Sequence, residues 1–284
     1  MSEAPPSMAA NPAGRSAPAP RRTSRPSSLW AFRGALTRRT QAAVGVGTSL
    51  LLLLAWEAAA RAGLVNSTFL PSPVAVLNAM LLMVQKQNLL WHAGVSTLRV
   101  WTAFALAAAM AVPVGILMSS YRVVGAALEP IIDFIRYLPV PALVPLSIIW
   151  FGVGEGTKLY LLWLGTFFQL VLLVADDMRR VPQEYVEIAY TLGARTPQVL
   201  RDVAFRAMLP GLVDNLRITL GWCWTYLIIA EIVAADSGIG FVIWTARRYM
   251  KTPEVMAGVV VIGIIGLVTD QLLRAAHRRA FRYL

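Results

Sequence analysis

Residues Gly152-Val153-Gly154-Glu155-Gly156-Thr157-Lys158 are glycine-rich and end in lysine, the residue types with which a backbone loop cradles phosphate. The spacing defeats that chemistry. A phosphate loop needs glycine directly before its lysine, and here Thr157 intervenes, so the run reads as a turn between two apolar segments. Cys223 is the only cysteine, which excludes a disulfide within the chain. His92 and His277 stand far apart without metal-ligand spacing. Paired carboxylates, a histidine cluster or an activated nucleophile at usable spacing are also missing. The expectation is a non-catalytic chain that binds no metal or cofactor and does not itself hydrolyse ATP.

The remaining reactive side chains lie inside apolar runs, where a charge is either paired or functional. Glu231 falls toward one end of such a run, about 28 Å along a helix axis from residue 212 at about 1.5 Å per residue. Arg99 and Arg247 are the partners that a structural pairing offers it. Arg217 sits at the other end of the run, where it either draws an anion or snorkels to the interface. Between them Thr219, Trp222, Trp224 and Thr225 offer hydroxyl and indole surface, for packing or for lining a path. Pro139, Pro141 and Pro145 interrupt another apolar segment, LPVPALVPL at 138–146. Each removes a helix hydrogen bond, so the segment must be bent or partly unwound. Irregular backbone at membrane depth is tolerated where it packs in protein or lines a water cavity; the bend is either a plain kink or part of a translocation path.

The elements that position these residues are membrane spans. At 57% hydrophobic and 14% charged, the composition is too apolar for an ordinary soluble domain. Apolar runs at residues 42–62, 94–118, 129–152, 158–176, 212–235 and 253–273 approach or exceed the roughly 20 residues that cross a bilayer. In lipid such spans satisfy their backbone as helices, giving an all-α polytopic fold of about six transmembrane helices over residues 41–284. Ser72 and Pro73 open a further helix of about 14 residues, too short to span, which either lies along the outer interface or packs on its neighbours. Residues 1–40 are rich in Pro, Ser, Ala and Arg and are expected to form a disordered basic tail, either a solvated anchor or one held at anionic headgroups.

The net charge of +11 would point to nucleic acid in a soluble protein, but no recognition module accompanies the arginines. Their distribution fits a membrane instead. With the N-terminus in the cytoplasm, the inside segments hold seven cations in the tail, Arg122, five from residue 179 to 206, and four from Arg274 onward, 17 in all. The outside loops hold Arg61, Lys86, Lys158, Arg247, Arg248 and Lys251, six in all. This positive-inside bias places both termini in the cytoplasm.

It also places there the most organised water-facing stretch, PQEYVEIAYTLGARTPQVLRDVAFRAMLP at 182–210. Pro182 suits a first helical position, and Tyr185, Ile188, Ala189 and Leu192 fall on one apolar stripe. Gly193 is the expected left-handed stop. Thr196 and Pro197 reopen a helix as N-cap and first-turn proline, and Pro210 is expected to close it. The pattern predicts two helices of about 11–13 residues, roughly 16–20 Å each, joined by a tight turn: a docking surface.

Glu187-Ile188-Ala189, three residues and then Gly193 resembles the EAA loop of the permease subunits of ABC importers. Val203 stands at that pattern's isoleucine position. Phe205-Arg206 replaces its Leu-Pro, which appears instead at Leu209-Pro210. LPSP at 70–73, LPVPALVPLSIIWFGVGEGTK at 138–158 and AEIVAADSGIGF at 230–241 resemble the sulfonate, taurine, nitrate and bicarbonate branch of that family. The resemblance implies a bacterial inner-membrane permease working as a dimer, with a second copy of the chain, two cytoplasmic ATPase subunits that hold ATP and magnesium, and an extracytoplasmic solute-binding protein. It makes Glu187, Ala189, Gly193, Ala194, Thr196 and Pro197 the ATPase-coupling residues. The cargo it implies is a small anion or zwitterion passing the Pro139–Pro145 bend and the Thr219–Thr225 face. The competing expectation is an ATPase-independent secondary transporter or channel. Such folds often show related halves, and no repeat joins residues 42–152 to 158–273.

Overall fold

The computed structural model describes residues 37–64, 66–234 and 236–281. The expected basic tail lies outside them except at its end, where Arg38–Thr40 belong to the first helix instead. The chain divides into two units, residues 1–55 and 56–284. In the first, the Thr37 hydroxyl accepts the Thr40 N–H at 3.2 Å and starts α1 (Arg38–Arg61). Its 24 residues rise about 36 Å, enough to cross a bilayer.

In the second unit, α2 (Pro73–Lys86) is capped by Ser72, whose hydroxyl accepts the Ala75 N–H at 3.2 Å. Val76, Ala79 and Met83 on α2 are buried against Leu89, Val242 and Ala257, so this helix packs on its neighbours.

Three long helices form the centre: α3 (Leu89–Ser120), α6 (Glu155–Arg179) and α9 (Phe205–Ala234). Ala103, Ala107, Ala111 and Gly115 recur every fourth residue along one side of α3, all buried. A Cβ on Gly115 would stand 2.7 Å from the Val171 carbonyl oxygen, so the two backbones nearly touch. In a membrane, where lipid is as apolar as leucine, small residues that permit such an approach are what bring helices together. Two apolar clusters follow along the bundle, one around Phe104, Leu161, Trp224 and Leu227, the other around Met118, Leu170, Val174 and Met208.

Between α3 and α6 the expected third span, 129–152, is not a single helix. It is α4 (Arg122–Ile135), a 3-10 turn at Val140–Leu143 and α5 (Val144–Phe151), with the two halves bent by 88°. Pro139 precedes the turn, Pro141 lies in its first residues, and Pro145 is the second residue of α5. A proline fits there because first-turn N–H groups have no helical acceptor. The prolines thus start new helices after the break. Five helices among the described residues are long and apolar enough to cross a membrane, six if the bent pair counts as one.

The 182–210 stretch departs from expectation at its second half. α7 (Gln183–Thr191) follows Pro182, which is its cap and not its first residue. After the turn come α8 (Thr196–Gln198), a π turn over Val199–Ala204, and then α9. Pro210 does not close the second helix; it lies inside α9. One helical run leads from Thr196 to Val233, 38 residues. Tertiary packing overrides the local stop: Met208, Leu209 and Leu212 bracket the proline and bury against Phe167, Val171 and Val174, holding the helix through one missing hydrogen bond. Beyond α9, α10 (Ile239–Arg248) is a short helix that no apolar run marked, and α11 (Thr252–Ala280) is the last span.

Candidate functional site

The hairpin is built by its glycine. Gly193 has φ +83°; its N–H donates to the Tyr190 carbonyl at 2.9 Å, and the Ala194 N–H donates to the Ala189 carbonyl at 3.0 Å. This double closure satisfies the last carbonyls of α7 and reverses the chain. Nothing lies within 4 Å of where a Gly193 Cβ would stand, so only the left-handed backbone demands glycine. Thr196 is the first residue of α8 and not its cap. The start is made instead by Gln198, whose side-chain oxygen accepts the Arg195 N–H at 2.8 Å. The Thr196 hydroxyl meets the Tyr190 hydroxyl at 3.4 Å across the turn. Ala189 and Val199 are buried between the two arms, while Glu187, Ala194 and Pro197 lie on the outside or its margin. Of the predicted apolar stripe only Ala189 is covered. Tyr185 is 51% exposed, Ile188 59% and Leu192 82%, an apolar patch of the kind that marks a contact surface.

A second feature lies at mid-span. The break between α4 and α5 opens a cavity of about 550 Å³. One wall is Ile135–Pro141 with Leu143, a second is Leu164, Gly165, Phe168 and Gln169 of α6, and a third is Trp222, Thr225 and Tyr226 of α9. Pro139 and Pro141 therefore do meet Trp222 and Thr225 around one space. Pro145 lies away from it, exposed on α5. The expected Thr219–Thr225 face is split, because residues on a helix rotate by about 100° each and only positions 222, 225 and 226 look this way. Thr219 is buried, its hydroxyl donating to the Asn215 carbonyl at 2.8 Å. Trp224 is core, packed near Gly266. Arg217 turns toward α11, its Nε 3.4 Å from Asp270 Oδ1 and its Nη2 3.8 Å from Asp214 Oδ1.

At the end of the bundle away from the hairpin, Glu231 is wholly buried and paired. Arg99 Nη1 donates to its Oε1 at 2.8 Å, the Ser96 hydroxyl to both its oxygens at 2.7 and 2.9 Å, and the Gly240 N–H to Oε2 at 2.7 Å. Arg247, the other proposed partner, lies instead over the Trp244 ring at 5.0 Å. The Arg99 guanidinium goes further. Its Nε and Nη2 donate to Glu155 at 2.7 and 2.5 Å, and its Nη1 and Nη2 donate to the carbonyl and hydroxyl of Ser237 at 2.7 and 2.8 Å. Lys158, 2% exposed at its side chain, donates to Glu155 at 2.8 Å and stands 3.7 Å from Asp236. Sequence reasoning missed Arg99, Glu155 and Lys158 as a group. Glu155 and Lys158 are one helical turn apart, and that spacing was their only local signal.

Residues 111–282 match the family model described as binding-protein-dependent transport system inner membrane component. The taurine transport system permease protein TauC of Escherichia coli (strain K12) is 36% identical over 244 residues, covering 84% of this chain and 89% of TauC. The bicarbonate transport system permease protein CmpB of Synechococcus elongatus is 28% identical over 274 residues, 92% of this chain and 96% of CmpB. Among solved structures, an inward facing conformation of the MetNI methionine ABC transporter superposes with a TM-score of 0.54 at 21% identity, covering 68% of this chain and 97% of the other. At that identity the likeness speaks to fold alone.

Proposed function

This chain belongs to the family of binding-protein-dependent transport system inner membrane components, as a non-catalytic permease subunit of an ABC importer, and from that premise we propose how it works. Two copies enclose a path for a small anionic or zwitterionic solute, taurine- or sulfonate-like first, nitrate or bicarbonate next. An extracytoplasmic solute-binding protein delivers that solute. Two cytoplasmic ATPase subunits hold ATP and magnesium and dock on the 182–210 hairpin, and both termini lie in the cytoplasm.

One observation carries the mechanism: the arm after Gly193 is continuous with α9 from Thr196 to Val233. A partner that moves the knob moves the helix bearing Trp222 and Thr225, because a helix of about 57 Å transmits displacement along its axis. The exposed Tyr185, Ile188 and Leu192 supply the contact area and Glu187 the charge. ATP closure outside the membrane thus reaches the cavity wall through one stiff element.

Gly193→Val tests this. Placing a β-branched residue at positive φ strains the turn by about 1–2 kcal/mol while leaving the spans untouched. The expected result, with Glu187→Arg as its companion, is a normally inserted permease that loses its ATPase partner, or keeps it with hydrolysis uncoupled from uptake. Wild-type ATPase association and uptake in both variants would overturn the docking role.

A further inference from the structure

Resting on the importer reading above, we infer that the mid-span cavity is a binding subsite on the permease itself for an organic anion, with Arg136 as the residue that takes the anionic head. Arg136 follows the last residue of α4 and borders the cavity. The cavity is also walled by Gly165, ten residues into α6 from Glu155, about 15 Å along the axis, or half of a hydrocarbon core of about 30 Å. Arg136 lines the same space with its side chain 28% exposed, and a guanidinium inside a membrane faces protein or a water-filled space, not lipid. Two of its donors are engaged within the chain: Nε lies 3.1 Å from Asp133 Oδ1, and Nη2 donates to the Tyr137 hydroxyl at 2.9 Å. Its carbon rests over the Tyr137 ring at 4.6 Å. The Nη1 group has no partner among the described residues, which leaves one edge of a planar fork suited to a sulfonate or carboxylate. Arg99 is the contrast, since every nitrogen of it is bonded inside the protein.

The rest of the lining decides what carries the anion. Beyond Arg136 the polar side chains are Gln169, Thr225 and the two tyrosines, and the other walls are Leu138, Leu164, Phe168 and Trp222. A bare inorganic anion gains nothing from such walls and loses its hydration there, whereas a carbon tail is favoured by burial against them. A volume of about 550 Å³ lies in the range of roughly 300–1,000 Å³ typical of organic-ligand pockets. The depth available to a tail is set by a close approach. Tyr226 rests on Gly165, where an added Cβ would stand 2.5 Å from the ring Cδ2. Alanine at that position must displace this ring, which lines the cavity.

The test is equilibrium binding of radiolabelled butanesulfonate to the purified permease–ATPase complex in nanodiscs, without the binding protein, with competition by ethanesulfonate, hexanesulfonate, nitrate and bicarbonate. Nitrate and bicarbonate are expected to compete at least about tenfold less well than butanesulfonate, since they have no tail to bury. Arg136→Gln should weaken binding by about tenfold or more, through loss of a charge-assisted contact, and Arg136→Lys by less, with the ATPase subunit retained in both. Gly165→Ala should shift the preference from hexanesulfonate toward ethanesulfonate. Unchanged binding in Arg136→Gln, or nitrate or bicarbonate competing as well as butanesulfonate, overturns the subsite. Uptake by the complete wild-type system separates the two readings. ATP-driven uptake without the expected binding removes the subsite alone, and no ATP-driven uptake of any of these anions removes the anionic-cargo reading with it.

Discussion

The two ends of the α3–α6–α9 bundle are held together in opposite ways. At the end away from the hairpin, which the proposed topology makes the outer one, two buried cations, Arg99 and Lys158, face the buried Glu231 and two exposed carboxylates, Glu155 and Asp236. They join α3, α6, α9 and the start of α10, where Ser96 also accepts the Ile239 N–H at 2.8 Å and His92 Nδ1 accepts the Gly238 N–H at 3.0 Å. At the hairpin end, the side-chain hydrogen bond between α6 and α9 among the described residues is the partly buried one from Asn215 Nδ2 to Asp177 Oδ2 at 2.7 Å, and the ion pair that holds α4 to α6, Glu129–Arg179, is 42% exposed on both sides. Buried, fully bonded charges fix geometry, because removing one member strands the others. Exposed pairs hold little. The contrast lies in how α9 is tied: by buried charges at the Glu231 end, and at the hairpin end by apolar packing of Met208, Leu209 and Leu212 on α6 with few polar bonds.

The sharpest way to break this contrast is at Arg99. Arg99→Ala strands the buried Glu231 carboxylate and removes the bonds to Glu155 and Ser237, and breaking a buried pair in this way costs about 3–5 kcal/mol. The expected outcome is a large fall in the denaturation midpoint of the purified permease, with reduced insertion in cells. Replacing the pair together, as Arg99→Leu with Glu231→Leu, should recover part of that loss, since apolar residues of similar volume often replace a buried pair without penalty. A midpoint unmoved by Arg99→Ala would mean that the outer end is not the anchor.

How much of this was legible in the sequence follows from the range of each interaction. Gly193 was legible because a left-handed helix stop is a local rule, read from the residues beside it. The 139–145 break was legible for the same reason, since three prolines leave no continuous helix. Pro210 misled, as its effect on the chain is decided by Met208, Leu209 and Leu212 packing on α6, which no local rule contains. Of the Arg99 cluster the sequence offered only the pair with Glu231, as one of two alternatives; Glu155 was not legible as a further partner, because it stands 56 positions from Arg99. Thr219, Trp222, Trp224 and Thr225 were visible as polar and aromatic residues of one span. Only the helix rotation, set by what α9 packs against, sorts Trp222 and Thr225 into the cavity and Trp224 into the core. Arg136 went unremarked because nothing in its neighbours marks the empty space beside it.

A middle-sized effect is expected at Asp177. Asp177 is 7% exposed, and Asp177→Ala leaves the Asn215 amide unpaired in a partly buried site, at up to about 1–3 kcal/mol. The denaturation midpoint should fall less than in Arg99→Ala. The functional loss should be the reverse of that order, with hydrolysis continuing while uptake drops, because the bond lies between the α6 base and the stretch of α9 nearest the hairpin. Equal losses of stability in the two variants would erase the difference between the ends.

The smallest effect belongs to Glu129. Its carboxylate accepts from Arg179 Nη2 at 3.0 Å, and both side chains are largely open to solvent, with Arg179 also 3.5 Å from Asp176. Solvent screens such a pair and its long side chains keep much of their freedom when unpaired, so Glu129→Gln is expected to change stability by about 0–1 kcal/mol. The apolar contacts of Leu128 and Ile132 with the inner cluster keep α4 seated without it. A denaturation midpoint within error of wild type, insensitive to added salt, is the predicted reading. A loss comparable to that of Asp177→Ala would show instead that the bent α4 segment is pinned at its hairpin end. The inner end would then be as firmly held as the outer one, and α9 could not swing there independently of the cavity wall that α4 and Arg136 provide.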